Sequence, residues 1–501
     1  MLSNILLFLL TSAAYIQIIG SPSFLAESSD DESCTKNAQC SGDHRQTSIR
    51  KNRINSNHQQ PERSDNTMPV QDQHVNCNQI YQQQQKYLLY DVNDHEGFNL
   101  RRDVYIRMAL LTHRLGSSWT LVLPPWINLY HWRDVNYNPH HDDINPLPWS
   151  TFFETSSMSK FVSTIEMSDF VKLHSQPLDQ ILILNSDYDD DEYSGEYSEK
   201  DTHSSENIEI DNCLNSEPYE VLNNRQFIYQ SLWNHGGELI AKKLSCVKLQ
   251  NFISTFSNFI KSNLSDVNTL MIRKAETILH DNYGDTLFWS ARRSMRFAPD
   301  LVSIGNRFRS DHLESWDSKD GTGEDTDWRK TIKQPGQASG GPFLAVHLRR
   351  QDFVTHRSEH VPSIDCACKQ MASMAESRGL ERIFISSDAD NDEWKQIYDY
   401  FKRQKVHDLK VYRFQNESLS PGQVAIVDQW IAAHAKVFIG TFESTFTFRI
   451  QEEREILGFH EDTTFLSLCP RCDHDGANST KINRCWQLSK WRINYGKSDK
   501  D

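Results

Sequence analysis

"YLLYDVNDHEGFNLRRDVYIRMALLTHRLGSSWTLVL" (residues 87–123) decides the fold. Its opening, "YLLYDV" (87–92), is a short apolar run without helical spacing, which reads as a buried strand. Val104, Met108, Leu111 and Leu115 then recur at helical spacing, with Asn99 the expected N-cap and Gly116 the stop. "WTLVL" (119–123) is the next strand. Strand, loop, helix and strand in that order form a parallel crossover. Between the first strand and the helix sits a charged, glycine-containing turn, "DHEGFN" (94–99).

The second half of the chain repeats this grammar. "FLAVHL" (343–348), "RIFISS" (382–387), "KVYRF" (410–414) and "KVFIG" (436–440) read as strands. Helices are expected around 363–378, 391–404, 423–435 and 445–455. The expectation is an α/β protein of two domains with a crevice between them. At 501 residues the chain is long enough for two.

Three stretches stand outside this pattern. Residues 22–76 are rich in Ser, Asn and Gln and poor in core formers, which reads as a disordered lead-in. Residues 187–211 hold eleven Asp and Glu against one Lys, a solvated acidic insertion. Residues 311–341 read as a further loop insertion near the domain boundary. The domains are then 77–310 and 342–495. The formal net charge of −15 speaks against nucleic acid as a partner. Most of that charge lies in the acidic segment, so it chiefly marks an insertion.

The apolar start, "MLSNILLFLLTSAAYIQIIGSPSFL", reads as a signal peptide over 1–21, with an uncleaved signal anchor as the rival; no later segment is read as transmembrane. Ten cysteines on that route are expected to form disulfides, and Cys213 is expected to pair with Cys246. "CPRC" (Cys469, Cys472) with Cys485 imitates a zinc knuckle but lacks a fourth ligand at standard spacing. Asn263, Asn416 and Asn478 each open an N-x-S/T sequon.

Ligands of open parallel sheets bind beyond the carboxyl ends of strands, where helix N-termini offer free N–H groups to anions. Three places qualify. "HEGFN" (95–99) puts Glu96 beside Gly97, which permits close backbone approach; alone it could equally be a glycine turn with a solvated glutamate. "HLRRQDF" (347–353) puts two arginines directly after a strand, and guanidinium can fork two phosphate oxygens. One of the two is expected to serve a structural pairing with Asp352. Asp428 lies in a mostly apolar helix, either as a satisfied carboxylate or as an acceptor of two N–H bonds from a guanine edge. "TFESTF" (441–446) brings hydroxyls and an aromatic to the next helix start, suited to a diphosphate. "DYDDD" (187–191) and "SSDADND" (386–392) imitate Asp-x-Asp metal sites, but the first has no apolar strand flanks and the second is the weaker reading of its loop. No G-x-G-x-x-G, P-loop or G-x-S-x-G is present.

"YLLYDVNDHEGFNLRRDVYIRMA", "LVLPPWINLYHW", "LAVHLRRQDF", "VAIVDQWIAAHA" and "STFTFRIQEEREILG" together resemble the GDP-fucose protein O-fucosyltransferase 2 family, whose acceptors are thrombospondin type 1 repeats. The resemblance runs from about residue 80 onward and is broken by the insertions. It implies a GT-B-like fold of two Rossmann-like domains facing a cleft, in the endoplasmic reticulum lumen. It also implies inverting transfer of fucose from GDP-β-L-fucose to a Ser or Thr hydroxyl, without metal or other cofactor. By matching motifs, Glu96 is the general base, and His95, Gly97, Phe98 and Asn99 line the donor site with it. His347, Leu348 and Arg349 hold the phosphates, Asp428 reads the nucleotide, and Thr445 and Phe446 complete the pocket. His95 stands where the family pattern leads one to expect Pro, and "CAC" (366–368) is no family feature. The chain ends "GKSDKD" rather than in a KDEL-like signal, so residence in the endoplasmic reticulum rests on the resemblance. Alternatives are an acceptor of EGF-like type and a non-catalytic, lectin-like folding chaperone. Trp126 and Trp132 are candidates for acceptor contact or for core.

Overall fold

The computed structural model describes residues 85–92, 96–127, 146–185, 209–211, 219–221, 227–229, 239–248, 252–330, 332–403 and 409–472. The signal segment, the lead-in, His95, Trp132, acidic residues 187–208, Cys213, Asn478 and Cys485 lie outside them.

Two mainly parallel sheets organise the chain. The first runs, edge to edge, β3 (Thr164–Glu166), β2 (Trp119–Leu123), β1 (Lys86–Tyr90), β10 (Thr269–Arg273), β4 (Gln180–Asn185), β9 (Leu244–Lys248) and β5 (Glu209–Asp211). Its neighbours pair in parallel except β5, which lies antiparallel on β9. The second runs β13 (Lys410–Tyr412), β12 (Arg382–Ser387), β11 (Gly341–Leu348), β14 (Ala435–Gly440) and β15 (Leu466–Ser467), parallel throughout. A small antiparallel sheet of β6 (Tyr219–Val221), β7 (Phe227–Tyr229) and β8 (Leu239–Ala241) accompanies the first.

The helices used below are α1 (Phe98–Leu115), α2 (Thr286–Ser294), α3 (Pro299–Leu313), α4 (Ile364–Ser377), α5 (Asn391–Arg403), α6 (Pro421–Ala433) and α7 (Thr445–Leu457). The α/β halves are Rossmann-like and arranged in the GT-B manner expected from the sequence. A cavity of about 290 Å³ opens between them, with Arg296 and Phe297 on one wall and Trp430 and Glu453 on the other.

Side-chain alternation along a strand sends every second residue to the same face. On β11, Phe343 and Ala345 enter the central core, while Leu344, Val346 and Leu348 enter the core beneath α4 and α5. Phe384 and Phe438 make the same choice on β12 and β14. The central core is continuous from Leu88 and Phe98 to Trp430 and Ile450, so it belongs to both halves.

Several expectations need correcting. Asn99 is not the N-cap of α1: Gly97 is, and no side chain caps that end. Asn99 Oδ1 instead accepts from Gln429 Nε2 at 3.1 Å, in the other half of the molecule. The acidic insertion ends in strand rather than loop, because Glu209–Asp211 pair with Lys248–Cys246 at the sheet edge. The 311–341 segment begins inside α3, carries a short helix at Asp317–Asp320, and otherwise runs as a largely exposed loop. A few of its polar residues face inward: Ser315, Asp320 and Thr322 are buried, with Ser315 Oγ donating to Asp320 Oδ2 at 2.5 Å. Arg309, fully buried on α3, donates to Ser315 Oγ at 3.1 Å and to Asp317 Oδ1 at 2.9 Å.

Cys366 is bonded to Cys472, while Cys469 and Cys368 are buried thiols. "CPRC" is therefore half of a disulfide and not a metal knuckle. Cys246 is also disulfide-bonded.

A buried charge cluster fastens α7 to the first half. Arg292 on α2 reaches Glu452 at 2.6 Å and Glu453 at 2.8 Å, and Arg449 reaches Glu452 at 3.0 Å. Tyr283 donates to Glu452 at 3.1 Å. Asp103 on α1 pairs with Arg107 at 2.9 Å and His280 at 3.2 Å. Burial pushes the Asp103 carboxyl up, but Arg107 and His280 outweigh it and hold the group well below the usual carboxylate range. Removing one member of a buried pair leaves a charge without its partner, at about 3–5 kcal/mol. Arg292→Met strands Glu453 and leaves Glu452 with Arg449 and Tyr283, and should lower stability by about that much. Chemical denaturation checks this; a loss of less than about 1 kcal/mol, the scale of an exposed pair, would show the cluster to be dispensable.

Candidate active site

Glu96 follows β1 and immediately precedes the Gly97 cap of α1. Gly97 has φ −72° and ψ 164°, an extended backbone open to any residue. Arg101 pins the turn from within the helix: its Nε donates to the Glu96 carbonyl at 2.9 Å and a terminal nitrogen to the Ile127 carbonyl at 2.9 Å. Glu96 Oε2 is buried and finds no hydrogen-bond partner among the described residues. Burial raises the Glu96 pKa, against the opposing pull of Arg107 and Arg101. The result is a carboxylate more basic than an exposed one.

The carboxyl end of β11 supplies the second group. His347 shares the face of Phe343 and Ala345, stacks on Phe446 at 4.4 Å, and its Nδ1 bonds Thr447 Oγ1 at 2.8 Å. Burial, with help from Arg349, lowers its pKa to about 3, so the ring is neutral at physiological pH. Leu348 points into the outer core, and its carbonyl accepts from Ser387 Oγ at 2.6 Å. It can present only backbone.

The two arginines divide the work differently from the expectation. Arg350 is the structural one, but through Glu393, reached by two nitrogens at 2.8 and 2.6 Å, and through the Pro362 carbonyl at 2.8 Å. Arg349 is the one that pairs with Asp352, and also with Asp388, with Phe353 beneath its guanidinium at 5.4 Å. Asp388 further accepts the Arg350 backbone N–H at 2.6 Å. Its carboxylate thus serves the arginine loop, and among the described residues no group of three His, Cys, Asp or Glu side chains gathers in a metal-holding arrangement. Gln351, next in the loop, has φ 37° and ψ −113°, a strained conformation for a residue with a Cβ.

Asp428 sits on α6, whose start is fixed by a Ser420–Gln423 capping box with Pro421 at the first turn. Asp428 Oδ2 accepts from Ser386 Oγ at 2.9 Å, while Oδ1 is buried with no partner among the described residues. Burial raises the carboxyl to about 7, against the Ser386 hydrogen bond and the pull of Arg413. Ser386 lies directly opposite His347 in the β11–β12 register. Asp428, Ser386, His347 and Phe446 therefore follow one another across the carboxyl ends of adjacent strands.

Thr445 and Phe446 open α7, whose Ser444 cap makes no side-chain hydrogen bond. The first-turn N–H groups carry no side-chain cap and the turn holds no acidic residue, a polarity suited to an anion. The helix can start that close to β14 because residue 440 is glycine: a Cβ there would stand 2.1 Å from the Thr447 methyl. Trp126 is core, 3% exposed and packed on Phe98 at 4.7 Å and Trp149 at 4.5 Å.

Sequence reasoning missed Ser386, Thr447, Gln429 and Arg102. Gln429 carried the same signal as Asp428, a polar side chain in an apolar helix.

Two electron-poor helix starts, a guanidinium after a strand and a basic carboxylate across the cleft suit an enzyme that departs a sugar from a nucleoside diphosphate. The chain belongs to the GDP-fucose protein O-fucosyltransferase family, whose profile matches residues 87–457. It is 37% identical over 417 residues to GDP-fucose protein O-fucosyltransferase 2 of Caenorhabditis elegans, covering 82% of this chain and 91% of that protein. It is 38% identical over 418 residues to the protein of that name from Homo sapiens, covering 82% and 90%. Among solved structures, POFUT1 in complex with GDP-fucose aligns with a TM-score of 0.45 at 14% identity, over 75% of this chain and 96% of that one. The protein is a fucosyltransferase whose donor is GDP-fucose.

The Asp428 environment has a direct readout. Its carboxyl should titrate near pH 7 in the free protein, and Ser386→Ala, which removes the one bond to the charged form, should raise that midpoint further. Isotope-edited infrared spectroscopy of the carboxyl band measures both; an ordinary midpoint near 4 would overturn the assignment.

Proposed function

We propose that the protein transfers fucose from GDP-β-L-fucose to a Ser or Thr hydroxyl of folded thrombospondin type 1 repeats, with inversion at the anomeric carbon and without a metal ion. Glu96 is the general base, and the observation that carries this role is its buried Oε2 without a hydrogen-bond partner among the described residues. A hydroxyl becomes a competent nucleophile when a base takes its proton as the new bond forms. A carboxylate of raised pKa, with an uncommitted oxygen, is suited to that task. A lectin-like chaperone would have no use for it.

On the opposite side, the leaving GDP gains negative charge as the glycosidic bond breaks. Arg349, its guanidinium plane held by Asp352 and Asp388, and the open N–H groups at the start of α7 supply positive charge there. His347, held neutral, donates or accepts without adding charge, and Leu348 contributes backbone. Gly97, Phe98 through its backbone (its ring is packed in the core), His95, Thr445 and Phe446 complete the donor pocket in this reading. Asp428 reads the guanine edge: Oδ1 awaits a donor, and two N–H groups would favour the ionised form.

This fixes the sign of the pH dependence. In the free protein Asp428 is protonated below about 7, and only the carboxylate accepts two N–H bonds. GDP affinity should therefore fall as pH drops below about 7, approaching tenfold per unit. Thrombospondin type 1 repeats as acceptors, and residence in the endoplasmic reticulum lumen, rest on the family resemblance. The Cys366–Cys472 bond is in keeping with an oxidising compartment.

Transfer of labelled fucose to purified thrombospondin and EGF-like repeats, side by side and with EDTA present, tests the reading. Label is expected on the thrombospondin repeat alone and should survive chelation. Transfer only to the EGF-like repeat refutes the acceptor, and activity lost to EDTA and restored by manganese refutes metal independence. Glu96→Gln keeps shape and removes basicity, so turnover should fall by about 10²–10⁴-fold with GDP binding and melting temperature little changed. Normal turnover in this variant would return Glu96 to a structural role.

A further inference from the structure

We infer that Arg102 and Gln429 are positioning residues that lock the Asn99 side-chain amide with its nitrogen facing the fucosyl group of the donor. The inference rests on the reading above, in which Asn99 lines the donor site, and it concerns two side chains that reading leaves unused.

The three form a closed triangle. Arg102 donates through one terminal nitrogen to Gln429 Oε1 at 2.7 Å and to Asn99 Oδ1 at 3.3 Å. Gln429 Nε2 donates to Asn99 Oδ1 at 3.1 Å. The Gln429 amide is thereby oriented: its oxygen serves the guanidinium, which can only donate, so its nitrogen must serve Asn99. Asn99 Oδ1 receives both donors, which turns Nδ2 to the opposite prong of the amide. Asn99 is only half-buried, so that prong is open. It lies three residues beyond Glu96, on the first turn of α1, where the anomeric carbon must approach the base.

Stability alone does not account for Arg102. It is fully buried, and neither Nε nor its other terminal nitrogen has a hydrogen-bond partner among the described residues. The rings of Phe297, Phe153 and Phe98 lie 5.2, 5.3 and 5.9 Å from the guanidinium carbon. Aromatic faces attract the cation, yet a guanidinium removed from water with so few bonds is costly. Its one engaged nitrogen does a specific thing: it fixes the sense of two amides. Gln429 also adjoins Asp428, so the group that reads the nucleotide and the group that orients Asn99 move on one helix.

The discriminating variant is Gln429→Glu. The new carboxylate still accepts from Arg102, and as a charge-assisted bond, so the triangle's largest charge stays satisfied. It has no N–H for Asn99 Oδ1, and the Asn99 amide should rotate to donate inward, presenting its oxygen to the sugar. Calorimetric affinities for GDP and for GDP-fucose give the readout without any acceptor. Melting temperature and GDP affinity should stay near wild type, while the preference for GDP-fucose over GDP falls by about tenfold. kcat/KM for the donor should fall with it. Asn99→Asp, which also removes the N–H, should cause a similar loss, and the double variant should lose little more than either single one. Donor preference and kcat/KM unchanged in Gln429→Glu would overturn the proposal, as would losses matching a drop in melting temperature and in GDP affinity. If wild type bound GDP-fucose but transferred fucose to no repeat, the proposed acceptor would fail while this binding test could still be read.

Discussion

The charge cluster around Arg292 is the constraint on which the rest depends. Two sheets, each able to bury its own outer face, share one central core, and a purely apolar contact between them would be tolerant of sliding. Arg292 with Glu452 and Glu453 is not tolerant, because each buried charge needs its partner at bonding distance. The cluster fixes α7 against α2, and Asp103 joins α1 to the same region. The helix starts that carry Asn99, Thr445 and Phe446 are thereby brought into register across the cleft. Apolar burial supplies cohesion in this fold, and the ionic cluster supplies position.

The same low-dielectric interior treats carboxylates in two ways. Asp103 and Asp388 are surrounded by donors, and their charge is spent holding helices and loops. Glu96 and Asp428 are also withdrawn from water but each keeps one oxygen without a partner among the described residues, so their pKa values rise. Asp320 Oδ1 and Glu455 Oε2 are in the same condition, so it is the place of Glu96 and Asp428 beside the carboxyl ends of strands, together with the unfilled oxygen, that marks them as groups for a ligand.

Much of this was legible in the sequence. The β1–α1–β2 crossover and the strands after residue 340 announced themselves through short apolar runs broken by helical spacing. Strands β4, β9 and β10 did not, because a run such as "ILIL" has no period to separate strand from buried helix. Asp428 was visible as a charge in an apolar helix. Asn99 was misassigned as a cap because its partner, Gln429, lies 330 residues away, and local rules carry no such information. The division between Arg349 and Arg350 was hidden for the same reason: Glu393, which makes Arg350 structural, is 43 residues on. Residues 311–341 read as a loop insertion, and composition gave no sign that three of them, Ser315, Asp317 and Asp320, satisfy Arg309.

The Cys366–Cys472 bond has a topological consequence. It joins α4 to the segment after β15, and the two strands of chain it connects also share a cyclic amide contact, with Gln370 donating to the Cys469 carbonyl at 2.9 Å and accepting its N–H at 2.8 Å. The chain between the cysteines, which are 106 positions apart in sequence, holds Ser386, Asp428, Gln429, Thr445 and Phe446 within one covalent ring. A single backbone break anywhere in that ring leaves its two sides tethered, so the helices α6 and α7 cannot diffuse apart. A molecule nicked there would re-associate as a unimolecular event, independent of protein concentration.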